Sequence, residues 1–323
     1  MTTFKEIRGT TIEVVSSDPA NPEIGQIWYN SSSGTLKGYR TVNSFSSGGN
    51  LNTARASSAG AGTQTAALGF GGYTPSFVNT NATELYNGTA WTSNPTGLNT
   101  TRRGMGSAGT QTAALGFGGE AFPPSAATEK FNGTSWTSVN NMNTARRYVA
   151  GCGTQTAALG FSGAVGTPNP FTVTAATESY NGTSWTSVNS MNTGRYGTAG
   201  FGTQTASLAV GGALPGASDK TESWNGTSWT VVNTLNTPRV YGFGFGTQTS
   251  GVTTGGGSPN SATELWNGTS WTTNPTGLTT GGSWGGSAGN ATAGLVIGGG
   301  RGPTYTALTE EWNGVGTQTI TVS

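Results

Sequence analysis

The side chains that could do chemistry in this 323-residue chain recur at fixed places. Of its 13 acidic residues, six are Glu84, Glu129, Glu178, Glu222, Glu264 and Glu310, and each follows a threonine. Of its 14 basic residues, five are Arg55, Arg102, Arg146, Arg195 and Arg239, spaced in step with those glutamates; Gly282 stands where a sixth would fall. A ring of carboxylates could bind cations, but arginines in nearly equal number would neutralise it. The two sets are instead expected to form partly buried ion pairs, within or between repeat units, because losing one partner strands a charge. Pairing within a unit would leave Glu310 without an arginine, and pairing with the next unit would leave Glu264 without one.

Other chemistry is thinly represented. Histidine is absent, which removes Ser/His/Asp and Cys/His catalysis and the imidazole ligands of zinc or copper. The single Cys152, between Gly151 and Gly153, forms no intrachain disulfide and reads as a buried small hydrophobe. A glycosidase needs two carboxyl groups close beside a cleft. From Arg55 onward the carboxylates without a repeat role, Glu120, Asp219 and Glu311, fall in different units. Gly-x-Gly runs precede no helix, and the Asn-Gly-Thr sequons at Asn87, Asn132, Asn181, Asn225 and Asn267 are explained by turns. No catalytic residue, metal or cofactor is expected, and the chain reads as no enzyme. A net charge of +1 favours neither nucleic acid nor an anionic membrane. Neither a signal peptide nor a membrane span is expected, since the start lacks an apolar core and no apolar run is long enough.

The elements that place these residues are short strands. Thr177-Glu178-Ser179-Tyr180-Asn181-Gly182-Thr183-Ser184-Trp185 has counterparts at 83–91, 128–136, 221–229 and 263–271, with a truncated sixth at 309–314. Alternating residues leading to Asn-Gly predict a hairpin with a two-residue type I′ turn. Each unit opens with its arginine and reaches Gly-Thr-Gln-Thr seven residues later. An apolar strand then leads to a Gly-Gly pair (Ser162-Gly163 in the third unit) before the Thr-Glu hairpin. The Thr-Glu pairs are 45, 49, 44, 42 and 46 residues apart. That period, with four strand-like runs per unit, predicts an all-β chain of six four-stranded blades. The 55 glycines suit tight turns, and the 10 Trp, 9 Tyr and 12 Phe at recurring positions speak against disorder.

Gly-Gly closing a second strand, an aromatic on the third and a Trp on the fourth resemble the kelch repeat family. The resemblance spans roughly 55–323 and implies a six-bladed kelch-like β-propeller, with residues 39–323 in the ring and 1–38 as a small N-terminal extension. The Asn-Gly-Thr-Ser-Trp turn and the Thr/Asn/Ser content depart from that family. Residues 1–54 read either as a separate attachment segment or as a degenerate half-repeat that helps close the ring. The sixth unit lacks its Trp, so its outer strand is expected from 317–322 or from 36–43, uniting both chain ends in one blade.

Between the Gly-Gly pair and the Thr-Glu hairpin the connection varies, holding 10, 8, 13, 8, 6 and 9 residues. These loops carry Tyr73, Phe77, Phe122, Phe171, Lys220, Arg301 and Tyr305, and in an antiparallel blade they all reach one face. A rigid scaffold with variable loops on one side predicts a binding surface there. A second resemblance lies in 18–37: Asp18-Pro19, then Gln26-Ile27-Trp28-Tyr29-Asn30 and Gly34-Thr35-Leu36-Lys37 resemble a hairpin of phage tail fibre and appendage proteins. It implies a virion-surface structural protein made in the host cytoplasm and attached to other virion proteins through its N-terminal segment. The propeller would then serve receptor binding and host attachment, to a cell-surface glycan or protein, with homo-oligomers compatible. The alternative is a decoration protein packed on neighbouring capsid or tail subunits without a host ligand.

Overall fold

The computed structural model describes residues 12–20, 23, 25–166, 172–257, 260–301 and 304–319. The chain divides into two compact units, Ser44–Trp312 and a second made of Met1–Asn43 with Asn313–Ser323. The division falls at 43/44, inside the long strand Thr35–Ser47, rather than at the expected 38/39.

In the larger unit the first five repeats each fold as four antiparallel strands. The third sheet shows the plan: Ala150–Gly153, Ala158–Phe161, Thr177–Tyr180 and Trp185–Val188 pair in that order. Among the described residues there are five such sheets, and the sixth repeat lays Gly286–Gly289, Ala293–Ile297 and Thr309–Thr319 side by side. The first strands of the six repeats are Ala59–Gly62, Gly106–Gly109, Ala150–Gly153, Ala199–Gly202, Phe243–Thr247 and Gly286–Gly289. Each first strand packs beside the next, and Gly286–Gly289 returns to Ala59–Gly62, so the sheets close a ring. Small residues make this approach possible. A Cβ on Gly60 would lie 2.6 Å from the Ser287 oxygen, and one on Gly151 2.7 Å from that of Ser107.

Aromatic side chains fill the space between sheets. Trp136, Trp185 and Trp229 pack on Phe70, Phe117 and Phe161 of the preceding sheet, with ring centroids 4.7, 4.8 and 4.9 Å apart. Their indole N–H groups donate to the repeat threonines of that same preceding sheet, Trp136 to Thr83, Trp185 to Thr128 and Trp229 to Thr177. Each tryptophan is thus an inter-sheet fastener, with its polar atom satisfied. On the rim of the Gly-Thr-Gln-Thr turns, the glutamine reaches backwards. Gln111 donates to Ala67 O and Tyr86 O, Gln155 to Ala114 O and Phe131 O, and Gln64 to Gly294 O and Trp312 O. In the sixth sheet Ala291 stands in the glutamine position, and Asn290, in place of the preceding threonine, accepts through its Oδ1 the N–H groups of Thr292 and Ala293 in its own turn.

The Asn-Gly connections differ from the expected two-residue turn. Tyr86 pairs with Trp91, which leaves a four-residue loop, and positive φ falls on Gly88 but not on Asn87. The Asn87 Oδ1 accepts from the N–H groups of Thr89 and Ala90, so the side chain does the work that a second left-handed residue would do. In the sixth copy no turn forms: Thr309–Thr319 is one continuous strand through Asn313-Gly314. The outer strand of the sixth sheet is supplied by residues 44–47, just beyond the expected 36–43. Gly48 N–H donates to Thr309 O at 2.9 Å, and Phe45 packs on Trp312.

The smaller unit holds Glu13–Val15, parallel to Ile27–Asn30, which in turn pairs antiparallel with Thr35–Ser47 through the turn at 31–34. Asp18 organises it. Its carboxylate accepts from the Trp28 indole at 3.1 Å, the Asn30 amide at 2.7 Å and the Lys37 ammonium at 2.8 Å. These bonds, Lys37 first, lower its pKa to about 2.

Candidate functional site

The repeat arginines and glutamates pair within a sheet. Arg55–Glu84, Arg102–Glu129, Arg146–Glu178, Arg195–Glu222 and Arg239–Glu264 approach to 3.1, 2.7, 2.9, 3.0 and 2.7 Å, all buried. Burial pushes each guanidinium below its ordinary pKa, and the carboxylate opposes that shift. The second carboxylate oxygen holds the connection that leads to the arginine: Asn99 N–H donates to Glu129 and Asn143 N–H to Glu178. These residues brace one rim and leave no charge for a ligand.

Glu310 is paired too. Arg301, expected on the binding surface, turns inward from the sixth variable loop and meets Glu310 at 2.7 Å, also donating to Thr280 O. It enters through the space left by the missing repeat arginine: a Cβ on Gly282 would lie 2.5 Å from Arg301 Cδ. Arg301 is therefore a sixth ion-pair residue, supplied from the variable connection of its sheet rather than from the segment ahead of the first strand.

The connections that carry the arginines also close the axis of the ring. Two residues after each arginine position stand Ser57, Gly104, Tyr148, Gly197, Tyr241 and Trp284, all at positive φ between 51° and 65°. Each donates its N–H to the carbonyl of its predecessor: Gly104 to Ser57, Tyr148 to Gly104, Gly197 to Tyr148, Tyr241 to Gly197, Trp284 to Tyr241, and Ser57 back to Trp284. Six backbones form a closed hydrogen-bonded circle. Large and small residues share the crowded space, since a Cβ on Gly104 would strike Tyr148 at 2.7 Å and one on Gly197 would strike Tyr241 at 2.6 Å. Below lies a cavity of about 130 Å³, lined mainly by the glycine, alanine and serine residues of the first strands.

Aromatic rings cover that circle. Tyr241 stacks on Trp284 at 3.6 Å; Tyr148 lies edge-on to both, and Tyr196 packs 5.7 Å from Tyr241. Burial raises the pKa of Tyr148 and Tyr241, so both hydroxyls stay protonated through neutral pH.

Beside this group the variable loops of the sixth, first and second sheets converge. Tyr73 packs on Tyr305 at 4.7 Å, and their hydroxyls hydrogen-bond at 2.5 Å. Phe77 packs against both rings. The Arg103 guanidinium lies over Tyr73 at 4.6 Å and over Phe122 at 4.9 Å. Glu120, fully buried, meets Arg147 at 2.5 Å and Arg103 at 3.6 Å. Asn79 ties the Phe77 loop to its neighbour by donating to Glu120 O. Phe77 and Phe122 are 72% and 57% exposed, and both hold positive φ, an arrangement rare for bulky residues.

Four of the seven expected binding residues, Tyr73, Phe77, Phe122 and Tyr305, thus stand together. Lys220 precedes the strand Thr221–Trp224 in the fourth sheet, two sheets from the nearest of them. Phe171 lies outside the described residues. The sequence reading singled out Glu120 only as a carboxylate without a repeat role, and it missed Arg103, Arg147 and the rings of Tyr148, Tyr196, Tyr241 and Trp284. The signal available for Tyr148, Tyr241 and Trp284 is that their repeat position holds either an aromatic or a small residue.

A solved structure of YjhT is similar to this chain, with a TM-score of 0.65 over 84% of this chain and 100% of the YjhT chain. The fold is a β-propeller. At 15% identity the likeness extends to fold alone. No protein-family model matches the sequence, and no curated protein does. In propeller terms each sheet is a blade, and the aromatic groups sit on the face formed by the strand 2–3 and 4–1 connections.

Proposed function

We propose that the chain is a non-enzymatic receptor-binding protein whose 2–3 loop face takes up a cell-surface glycan, and that it serves as a virion appendage of the tail fibre kind. The observation that carries the binding role is the grouping of Phe77, Phe122, Tyr73 and Tyr305 from three blades around Arg103. Exposed rings fixed on unfavourable backbone point to a use outside the fold, because burial does not repay their conformation. Flat aromatic faces suit the C–H faces of sugar rings, and an adjacent guanidinium supplies hydrogen bonds to their oxygens. The kelch-like lineage is supported by the glycine pairs: Gly72, Gly119 and Gly163 each donate N–H to the carbonyl of the next blade's arginine. Attachment to other virion proteins is assigned to the smaller unit. There Val14 is 66% exposed on the short strand Glu13–Val15, and the Asp18-centred hairpin carries the tail-fibre resemblance.

A glycan array probed with the wild-type protein and with the double variant Phe77→Ala/Phe122→Ala tests the reading. Selective glycan binding, weakened about tenfold or more in the variant, is expected, since anchor residues of an interface each contribute more than ~1 kcal/mol. Unchanged signals in the variant count against it. So does an absence of glycan binding in a protein present at high copy on particles, the outcome that favours decoration.

A further inference from the structure

The charges of the binding face do not cancel. Among the described residues, the 2–3 and 4–1 connections carry five charged side chains outside the six buried pairs: Arg103, Glu120, Arg147, Asp219 and Lys220. Asp219 and Lys220 are neighbours on the fourth blade and balance each other. Beside the exposed rings, one carboxylate faces two guanidinium groups. Glu120 Oε1 accepts a hydrogen bond from Arg147 at 2.5 Å, while Arg103 remains 3.6 Å from Oε2, beyond a good hydrogen bond. Glu120 Oε2 and Arg103 Nε are both buried without a hydrogen-bond partner. A saccharide hydroxyl can donate to Glu120 Oε2, and an anionic group can accept only from the guanidinium.

Resting on the glycan reading above, we infer that this face selects a saccharide bearing an anionic group, a carboxylate or sulfate, which docks at Arg103 while its ring lies on Phe77 or Phe122. Arg103 is built for that task. Its guanidinium packs against Tyr73 and Phe122, and its backbone is fixed on both sides by hydrogen bonds with Glu120, 3.2 and 2.7 Å long. Its side chain is 17% exposed, so an incoming anion meets a positioned, largely desolvated cation. Such a cation binds an oxyanion about as strongly as a charge-assisted hydrogen bond allows, and its fork favours planar acceptors.

The test compares three probes matched in length: a mannuronate hexasaccharide, a neutral mannose hexasaccharide and a glutamate hexapeptide. Binding is measured by calorimetry or ligand-observed NMR, at low and high salt, on the full chain. The acidic saccharide is expected to bind at least about tenfold more tightly than the neutral one, with the advantage shrinking in salt. Arg103→Gln should erase that preference while neutral binding persists, and Arg103→Lys should keep part of it. Equal binding of the two saccharides, or a preference that survives Arg103→Gln, overturns the inference and leaves the glycan reading standing. Binding of neither saccharide fails both. Equal affinity for the glutamate peptide overturns it in favour of an acidic protein partner. If both Arg103 variants prove unfolded by thermal melting, the wild-type salt response decides: no weakening with salt overturns the inference.

Discussion

Moving one arginine offers a sharp test of how the ring is closed. Arg301 and Glu310 are both nearly out of solvent, with side-chain exposures of 3% and 2%. Arg301→Ala leaves the Glu310 carboxylate with hydrogen bonds from the Thr279 N–H and hydroxyl but no cation. Breaking a buried pair on one side costs roughly 3–5 kcal/mol. At ~2–4 °C per kcal/mol for a unit of this size, the melting midpoint should fall by about 6–20 °C. The repeat suggests the cure. Every other blade carries its arginine where Gly282 stands, and what blocks that position is Arg301 itself, 2.5 Å from the Cβ that would be added. Arg301→Ala with Gly282→Arg should therefore recover a substantial part of the loss, whereas Gly282→Arg alone should destabilise by crowding two cations. Thermal melts followed by tryptophan fluorescence, alongside chemical denaturation, read the series. A loss below ~1 kcal/mol for Arg301→Ala, the value of an ordinary surface pair, would refute the reasoning. So would a double variant no more stable than the single one.

Two further outcomes follow from titratable groups. Asp18 has its pKa lowered to about 2, so its contribution is complete above the ordinary value of 3.8 and is lost as pH falls through about 2. The Trp28 indole N–H resonance should shift with that low midpoint and should lose its titration in Asp18→Asn; a midpoint near 4 would contradict the hydrogen-bonded hub. Cys152 is buried and its thiol is pushed up to about 12 by burial, so iodoacetamide at mildly alkaline pH should leave the native protein unlabelled and modify it only after unfolding. Rapid labelling of the folded protein would mean that the first strand of the third blade opens readily.

The scaffold was legible because it repeats. Each Thr-Glu pair, glycine pair and tryptophan is backed by its counterparts, and neighbouring residues at a fixed period reveal strands that lie together. Chemistry that crosses from one blade to the next has no such period. The repeat arginines could be matched with glutamates by spacing, but their sharing of a blade required coordinates. Arg301 looked like a loop residue because its partner lies nine positions ahead rather than some thirty, and Gly282 reads as a gap, not a doorway. Glu120 seemed unattached since its cations, Arg103 and Arg147, belong to two different blades. The Asn-Gly turns were located correctly and assigned the wrong geometry: the asparagine side chain caps a longer loop, and composition alone does not separate those two uses of the same dipeptide. At the sixth copy the dipeptide survives inside a straight strand, where no tryptophan follows to pair across it.

The backward-reaching glutamines divide the labour between the two rims. Gln64, Gln111 and Gln155 join their turns to the preceding blade through carboxamide bonds to main-chain carbonyls, which are present whatever residue stands there. Substitutions beneath such a belt are tolerated so long as the strands remain, and insertions on the far rim never reach it. A lineage of these chains can therefore exchange its loop set while the glutamine-tied rim is inherited intact. For an engineer the same partition marks one rim for library diversification and the other to be left alone.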